Sequence, residues 1–139
     1  MKELTFLIVV LLMFPLVNGF GQHSKKLEGG WKMIYSKWEM PDTVVERSQF
    51  EKPSYKIFTK KYFTLSRLDE NDEFIGHFGT YSYEGDTYIE NIEYSSYEFT
   101  IGRSEKFKSS IKGDKWTIEG KIGNKGEGFK LKEIWERIE

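Results

Sequence analysis

FIGHFGTYSYEGDTYIENIEY, residues 74–94, is written as two strands and a turn. Two alternating runs rich in Tyr, Ile, Phe and Thr meet at Gly85-Asp86, and a two-residue Gly-Asp connection between such runs predicts a tight β-hairpin. The pattern recurs in EKFKSSIKGDKWTIEGKI, residues 105–122, which turns at Gly113-Asp114. A two-residue turn sets register, and register decides which side chains share a face. Counting outward from Gly85-Asp86 pairs Tyr83 with Tyr88, Tyr81 with Glu90, Gly79 with Ile92 and His77 with Tyr94 on one face. Ser82 with Ile89, Thr80 with Asn91 and Phe78 with Glu93 occupy the other. The second hairpin sorts more cleanly. Ile111 with Trp116, Ser109 with Ile118 and Phe107 with Gly120 make a dry side, while Lys112 with Lys115, Ser110 with Thr117 and Lys108 with Glu119 make a wet one.

The flanks extend the meander. A first strand runs from Trp31 towards Trp38. Residues 39–54 are irregular after Pro41-Asp42, read either as one helical turn or as an irregular strand, and are placed to fold over the mouth of a barrel. Tyr55–Thr59 and Tyr62–Leu68 form another hairpin, turning at Lys60-Lys61. The acidic run Asp69 to Glu73 connects to the next strand. It lacks the Gly and Glu that a helix-loop-helix calcium loop needs at its sixth and twelfth positions, where Phe74 and Thr80 stand. It reads as a solvated loop. A Gly-rich connection, Gly123 to Gly128, leads to FKLKEIWERIE, residues 129–139. There Phe129, Leu131 and Trp135 share parity while Ile134 and Ile138 do not, which predicts burial on both faces or a bulge near Glu133. Eight to nine sequential antiparallel strands predict an all-β, up-and-down barrel rather than a sandwich. Eight strands enclose an interior that side chains can fill or that can hold one small ligand.

Composition narrows the classes. The chain has 139 residues, no Cys, 17% aromatic residues and a net charge of −1. The lack of Cys removes disulfides, thiolate catalysis and zinc-thiolate sites. The balanced charge lacks the footprint of a nucleic-acid binder. Lys2, the apolar run Leu4 to Leu16, and Gly19 and Gly21 before Gln22 predict a cleaved export signal over residues 1–21. The apolar run is too short to span a membrane, which needs roughly 20 residues. Export to the periplasm or beyond, with no stable membrane insertion after cleavage, is the expectation. Residues 22–28 then form a polar, mobile leader and 29–139 the barrel domain.

Gly29-x-Trp31 before the first strand, with Arg137 near the end of the last, resembles the lipocalin and calycin pattern, in which an early Trp packs under a late Arg. YKIFTKKYFTL, GTYSYEGDTYIENIEY and EIWERI together resemble an exported lipocalin-like family of unassigned function, common in Bacteroidetes-type bacteria. The resemblance covers most of residues 27–138. It implies a small calycin-like barrel and an exported location, and it carries over no ligand, no cofactor and no catalytic residue. Trp31 and Arg137 would be structural.

Hairpin register makes His77, Tyr81, Glu90 and Tyr94 the sharpest constellation. As a barrel lining, with Tyr88 and Ile92, they would give apolar walls and a few orienting polar groups, as ligand sites require. As an internal pair, Tyr81 would satisfy Glu90 without any ligand. As an outer face, they would meet water. His77 and His23 are the only histidines, so a metal or haem site has too few ligands. No nucleophile elbow, phosphate loop or dinucleotide fingerprint occurs. The leading expectation is a non-enzymatic barrel holding a small apolar molecule. A packed barrel docking to an envelope protein or polysaccharide is the first alternative. An isomerase or hydrolase built around His77 and Glu90 is the second.

Overall fold

The computed structural model describes residues 25–123 and 128–139; the expected export signal, residues 22–24 of the leader and 124–127 of the Gly-rich connection lie outside the described residues. Both Gly-Asp turns form. Gly85 and Gly113 have φ of 60° and 57°, the left-handed conformation that a type II′ turn needs at its first central position and that costs glycine nothing. The strands are β1 (Gly29–Glu39), β2 (Val44–Arg47), β3 (Tyr55–Phe58), β4 (Tyr62–Leu68), β5 (Phe74–Glu84), β6 (Thr87–Ser95), β7 (Ser104–Lys112), β8 (Lys115–Ile122) and β9 (Phe129–Arg137). A short 3-10 turn, Glu98–Thr100, sits between β6 and β7. Among the described residues, no helix is long and apolar enough to cross a membrane.

All pairings are antiparallel, and β1 closes against β9 to complete an eight-stranded barrel. The ninth strand arises because β1 is longer than its neighbour. Gly29–Lys32 pair with β3, while Ser36–Glu39 pair with β2 on the same edge. Residues 39–54 thus contain a genuine strand, and Val45, Arg47, Phe50 and Lys52 turn towards the barrel mouth.

Two bulges set the interior, and neither lies where the sequence suggested. The β7–β8 ladder keeps the register read from its turn, from Lys112 with Lys115 to Phe107 with Gly120. The β5–β6 ladder keeps it only from Glu84 with Thr87 to Gly79 with Ile92. It then gains one residue, so Phe78 faces Tyr94 and His77 faces Ser95. The cause is close backbone approach at Gly79. A Cβ there would lie 1.8 Å from the carbonyl oxygen of Asn91, and Glu93 is the extra residue that relieves the pairing. The other bulge falls between Met33 and Tyr35. It flips β1, so that Trp31, Met33, Ser36 and Trp38 point inwards. The last strand itself is regular against β8, with Leu131, Glu133 and Trp135 all buried. The bulge expected near Glu133 lies instead on its neighbour β1.

One end of the barrel is packed solid. Trp116 stands edge-on to Tyr88 (5.0 Å) and Phe58 (5.4 Å), and contacts Trp31 (5.7 Å) and Trp135 (6.0 Å). Edge-to-face pairs contribute about 0.5–1.5 kcal/mol each beyond simple burial. Gly120 leaves room for the Phe107 ring, which a Cβ would meet at 2.7 Å. Residues 25–28, read as mobile leader, in fact seal this end. Leu27 is buried, its carbonyl accepts the Trp31 indole N–H at 2.8 Å, and Arg137 donates to the carbonyls of Glu28 and Lys26. The Arg137 guanidinium lies 4.2 Å from the Trp31 ring centre, a stacking contact contributing up to about 2 kcal/mol when desolvated.

Candidate functional site

Above the aromatic plug, the interior is hollow. A cavity of about 380 Å³ opens between the barrel walls and the segments that cross the mouth. Met33, Leu65, Ile92, Phe107, Ile118 and Leu131 form its walls. Phe50 from the β2–β3 connection and Phe99 from the 3-10 turn form part of the rim.

The floor is ionic. Lys56 is only 3% exposed, and its ammonium donates to Glu90 Oε1. The same oxygen accepts the Tyr88 hydroxyl at 2.7 Å. Four rings surround the ammonium, with centres at 5.2 Å (Trp135), 5.4 Å (Trp116), 5.5 Å (Tyr88) and 5.9 Å (Phe63). Lys56 is therefore held by a carboxylate on one side and by aromatic faces around it. Glu133 completes the floor, accepting the Trp135 indole N–H at 3.1 Å. Burial pushes the Glu133 carboxyl up to about 7 against the opposing pull of Lys56, so its protonated form is populated at neutral pH. Burial also holds the Tyr88 hydroxyl well above its usual range. Lys56, Glu90 and a protonated Glu133 sum to zero charge, which is how an ionic layer persists in an apolar barrel.

Two nitrogen atoms in the walls have no partner among the described residues. The indole N–H of Trp38 and Nε2 of His77 are both buried, and both residues line the cavity. Burial holds His77 below the usual histidine range, so it is neutral at physiological pH. Of the cationic side chains around the cavity, Arg103 pairs with Glu105 at 3.1 Å and Lys52 with Asp72 at 2.5 Å. Arg67 and Arg47 have no ion-pair partner among the described residues. Arg67 is half-buried, 5.8 Å from the Trp38 ring centre.

The residues singled out from sequence are distributed over three regions. His77, Glu90 and Ile92 reach the cavity. Tyr81 and Tyr88 lie in the packed half; the Tyr81 hydroxyl, pushed up to about 12 by burial, donates to the Thr59 carbonyl. Tyr94 is on the outer surface and 69% exposed, a correction that follows from the extra residue at Glu93. It belongs to an external aromatic ridge with Phe78 and Tyr62. Sequence reasoning missed Lys56, Arg67, Trp38 and Glu133. Parity carried a signal for two of them. Lys56 alternates in step with Phe58, and Glu133 with Leu131 and Trp135, so each is a charge written at an inward position. Among the described residues, no group of three or more His, Asp or Glu side chains is placed to hold a metal ion.

A closed eight-stranded meander with a packed base, a Trp-Arg stack beneath it and a hollow upper half defines a lipocalin-like barrel. The chain belongs to the family described as Domain of unknown function (DUF4488), which it matches over residues 26–139. A lipocalin-like protein from Bacteroides uniformis is similar in structure, with a TM-score of 0.52 and 17% identity over 81% of this chain and 98% of that one. A redesigned β-barrel is similar with a TM-score of 0.53 and 13% identity over 84% and 96% of the two chains. At such identities these likenesses concern the fold. No curated protein matches the chain.

Proposed function

We propose that this protein is an exported binding protein that takes one small, largely apolar molecule into the open half of its barrel. The observation that carries this reading is the cavity of about 380 Å³ with apolar walls and an ionic floor. Its size falls within the range of small-molecule sites, about 300–1,000 Å³. The polar groups are few and are placed at its floor and rim, as orientation of an apolar ligand requires. The export signal pattern in residues 1–21 supports a location outside the cytoplasm. Of the residues read from the hairpin, Ile92 serves as wall, and His77 and Glu90 as polar groups.

The neutral dye N-phenyl-1-naphthylamine tests the reading. Titration is expected to show one saturable site, with emission enhanced by the dry surroundings. Leu131→Trp puts an indole into the cavity that Leu131 lines, and is expected to weaken dye binding at least tenfold with little change in melting temperature. Ile92→Trp fills the cavity from the opposite wall and serves as a second variant. Absence of a saturable site, or full binding by both filled variants, would contradict the proposal.

A further inference from the structure

The polar groups at the upper wall are chemically one-sided. Around the cavity, Glu90 is occupied by Lys56 and Tyr88, and Glu105 by Arg103. Glu133 lies at the floor, bonded to the Trp135 indole. Among the described residues, no other carboxylate lines the space. On the cationic side, Arg67 is left over inside the wall and Arg47 at the exposed lip. Beside Arg67 stands the Trp38 indole, whose N–H is a donor with no acceptor among the described residues. His77 is the diagonal neighbour of Arg67 across the β4–β5 ladder, since Leu65 pairs with His77 and Arg67 with Ile75. Its Nε2 is likewise unbonded.

Leaving a buried donor unsatisfied is unfavourable, and an unpaired guanidinium in a partly dry wall more so. A packed barrel would gain by replacing all three groups. They become favourable together when something brings an acceptor to them.

We infer that the molecule bound in the cavity carries an oxyanion head group, carboxylate or phosphate, seated against Arg67 and the Trp38 indole N–H, with its apolar part directed down towards Ile118 and Leu131. Guanidinium groups recognise both oxyanions through paired hydrogen bonds. His77 supplies a third contact through whichever tautomer the head group needs. Arg47 at the lip attracts the anion to the mouth. The inference rests on the apolar-cavity reading and names the ligand class for that site.

Isothermal titration of the full chain at pH 7.5 with decanoate, decyl phosphate, decanol and decylamine tests it. One or both anions are expected to bind at least tenfold tighter than decanol, with the tighter of the two identifying the head group. Arg67→Met keeps the apolar stem and removes the charge. It is expected to reduce anion affinity to that of decanol while leaving decanol binding unchanged. Arg67→Lys is expected to keep part of the preference. Equal binding of decanol and both anions, or a preference for decylamine, would overturn the head-group assignment and leave the apolar cavity standing. So would an anion preference that survives Arg67→Met. Binding by none of the four would overturn the cavity reading and this inference together.

Discussion

Lys56→Met is expected to lower the stability of the protein by about 3–5 kcal/mol at pH 7, the usual consequence of removing one partner of a buried ion pair. The substitution is close in volume and leaves the aromatic box around the site filled, so packing is not the reason. Lys56 is the cation on which the floor depends, and its loss leaves Glu90 with only the Tyr88 hydroxyl at Oε1. Glu90 is then a buried carboxylate without its cation. Urea melts check it. Adding Glu90→Gln to Lys56→Met should recover most of the loss, because the stranded charge goes with the carboxylate. A loss below about 1 kcal/mol at pH 7 would mean that the ammonium and carboxylate are not the floor of the interior.

Glu133→Gln should act in the opposite direction, with an effect that opens above about pH 4.5 and is largest at neutral to alkaline pH. The Glu133 carboxyl is raised to about 7 by burial, with Lys56 opposing, Glu90 reinforcing, and the Trp135 bond and Arg67 opposing weakly. A carboxyl with a folded pKa above its unfolded value of 4.5 binds its proton more tightly when folded. Its contribution is therefore fully present below about pH 4.5 and is lost as the pH rises through about 7. The amide cannot ionise and keeps an oxygen for the Trp135 N–H. Relative to the original protein, Glu133→Gln is expected to gain up to about 3 kcal/mol between pH 4.5 and pH 8. Urea melts across that range are the measurement. Parallel stability–pH curves for the two proteins would show that Glu133 is solvated.

Much of the architecture was legible because it depends on turns. Gly-Asp at 85–86 and at 113–114 aligned two hairpins, and the second ladder runs in register to Gly120. Fold class and sequential topology followed from those turns. The cavity was less legible because its shape depends on where ladders slip. The slip at Glu93 is driven by contact between Gly79 and the Asn91 carbonyl, two backbones in space, and no local propensity encodes it. It moved Tyr94 from the interior to the outside. The slip at Ile34 puts Tyr35 on the surface, where its hydroxyl donates to Glu46 at 2.8 Å, and brings Trp38 inwards.

Polar floor residues were hidden for a different reason. Alternation is read by asking which positions are apolar, and that rule turns Tyr55 and Ile57 inwards and Lys56 outwards. The structure does the reverse, because Phe58 and Phe63 face each other across the β3–β4 ladder and pull Lys56 in with them. Glu90 was found from register, yet its cationic partner lies on a strand 34 residues earlier. Pairing between distant strands is a property of closure. Glu133 stood at an inward position between Leu131 and Trp135, and the mixed parity of Ile134 and Ile138 obscured it.

Native mass spectrometry of the protein isolated from the cells that make it decides whether the upper barrel holds a small molecule of its own. A one-to-one non-covalent adduct is expected, one that disappears on denaturation and is absent from Leu131→Trp prepared in the same way. A bare protein mass in the original chain, or an adduct retained in full by the filled variant, would contradict it.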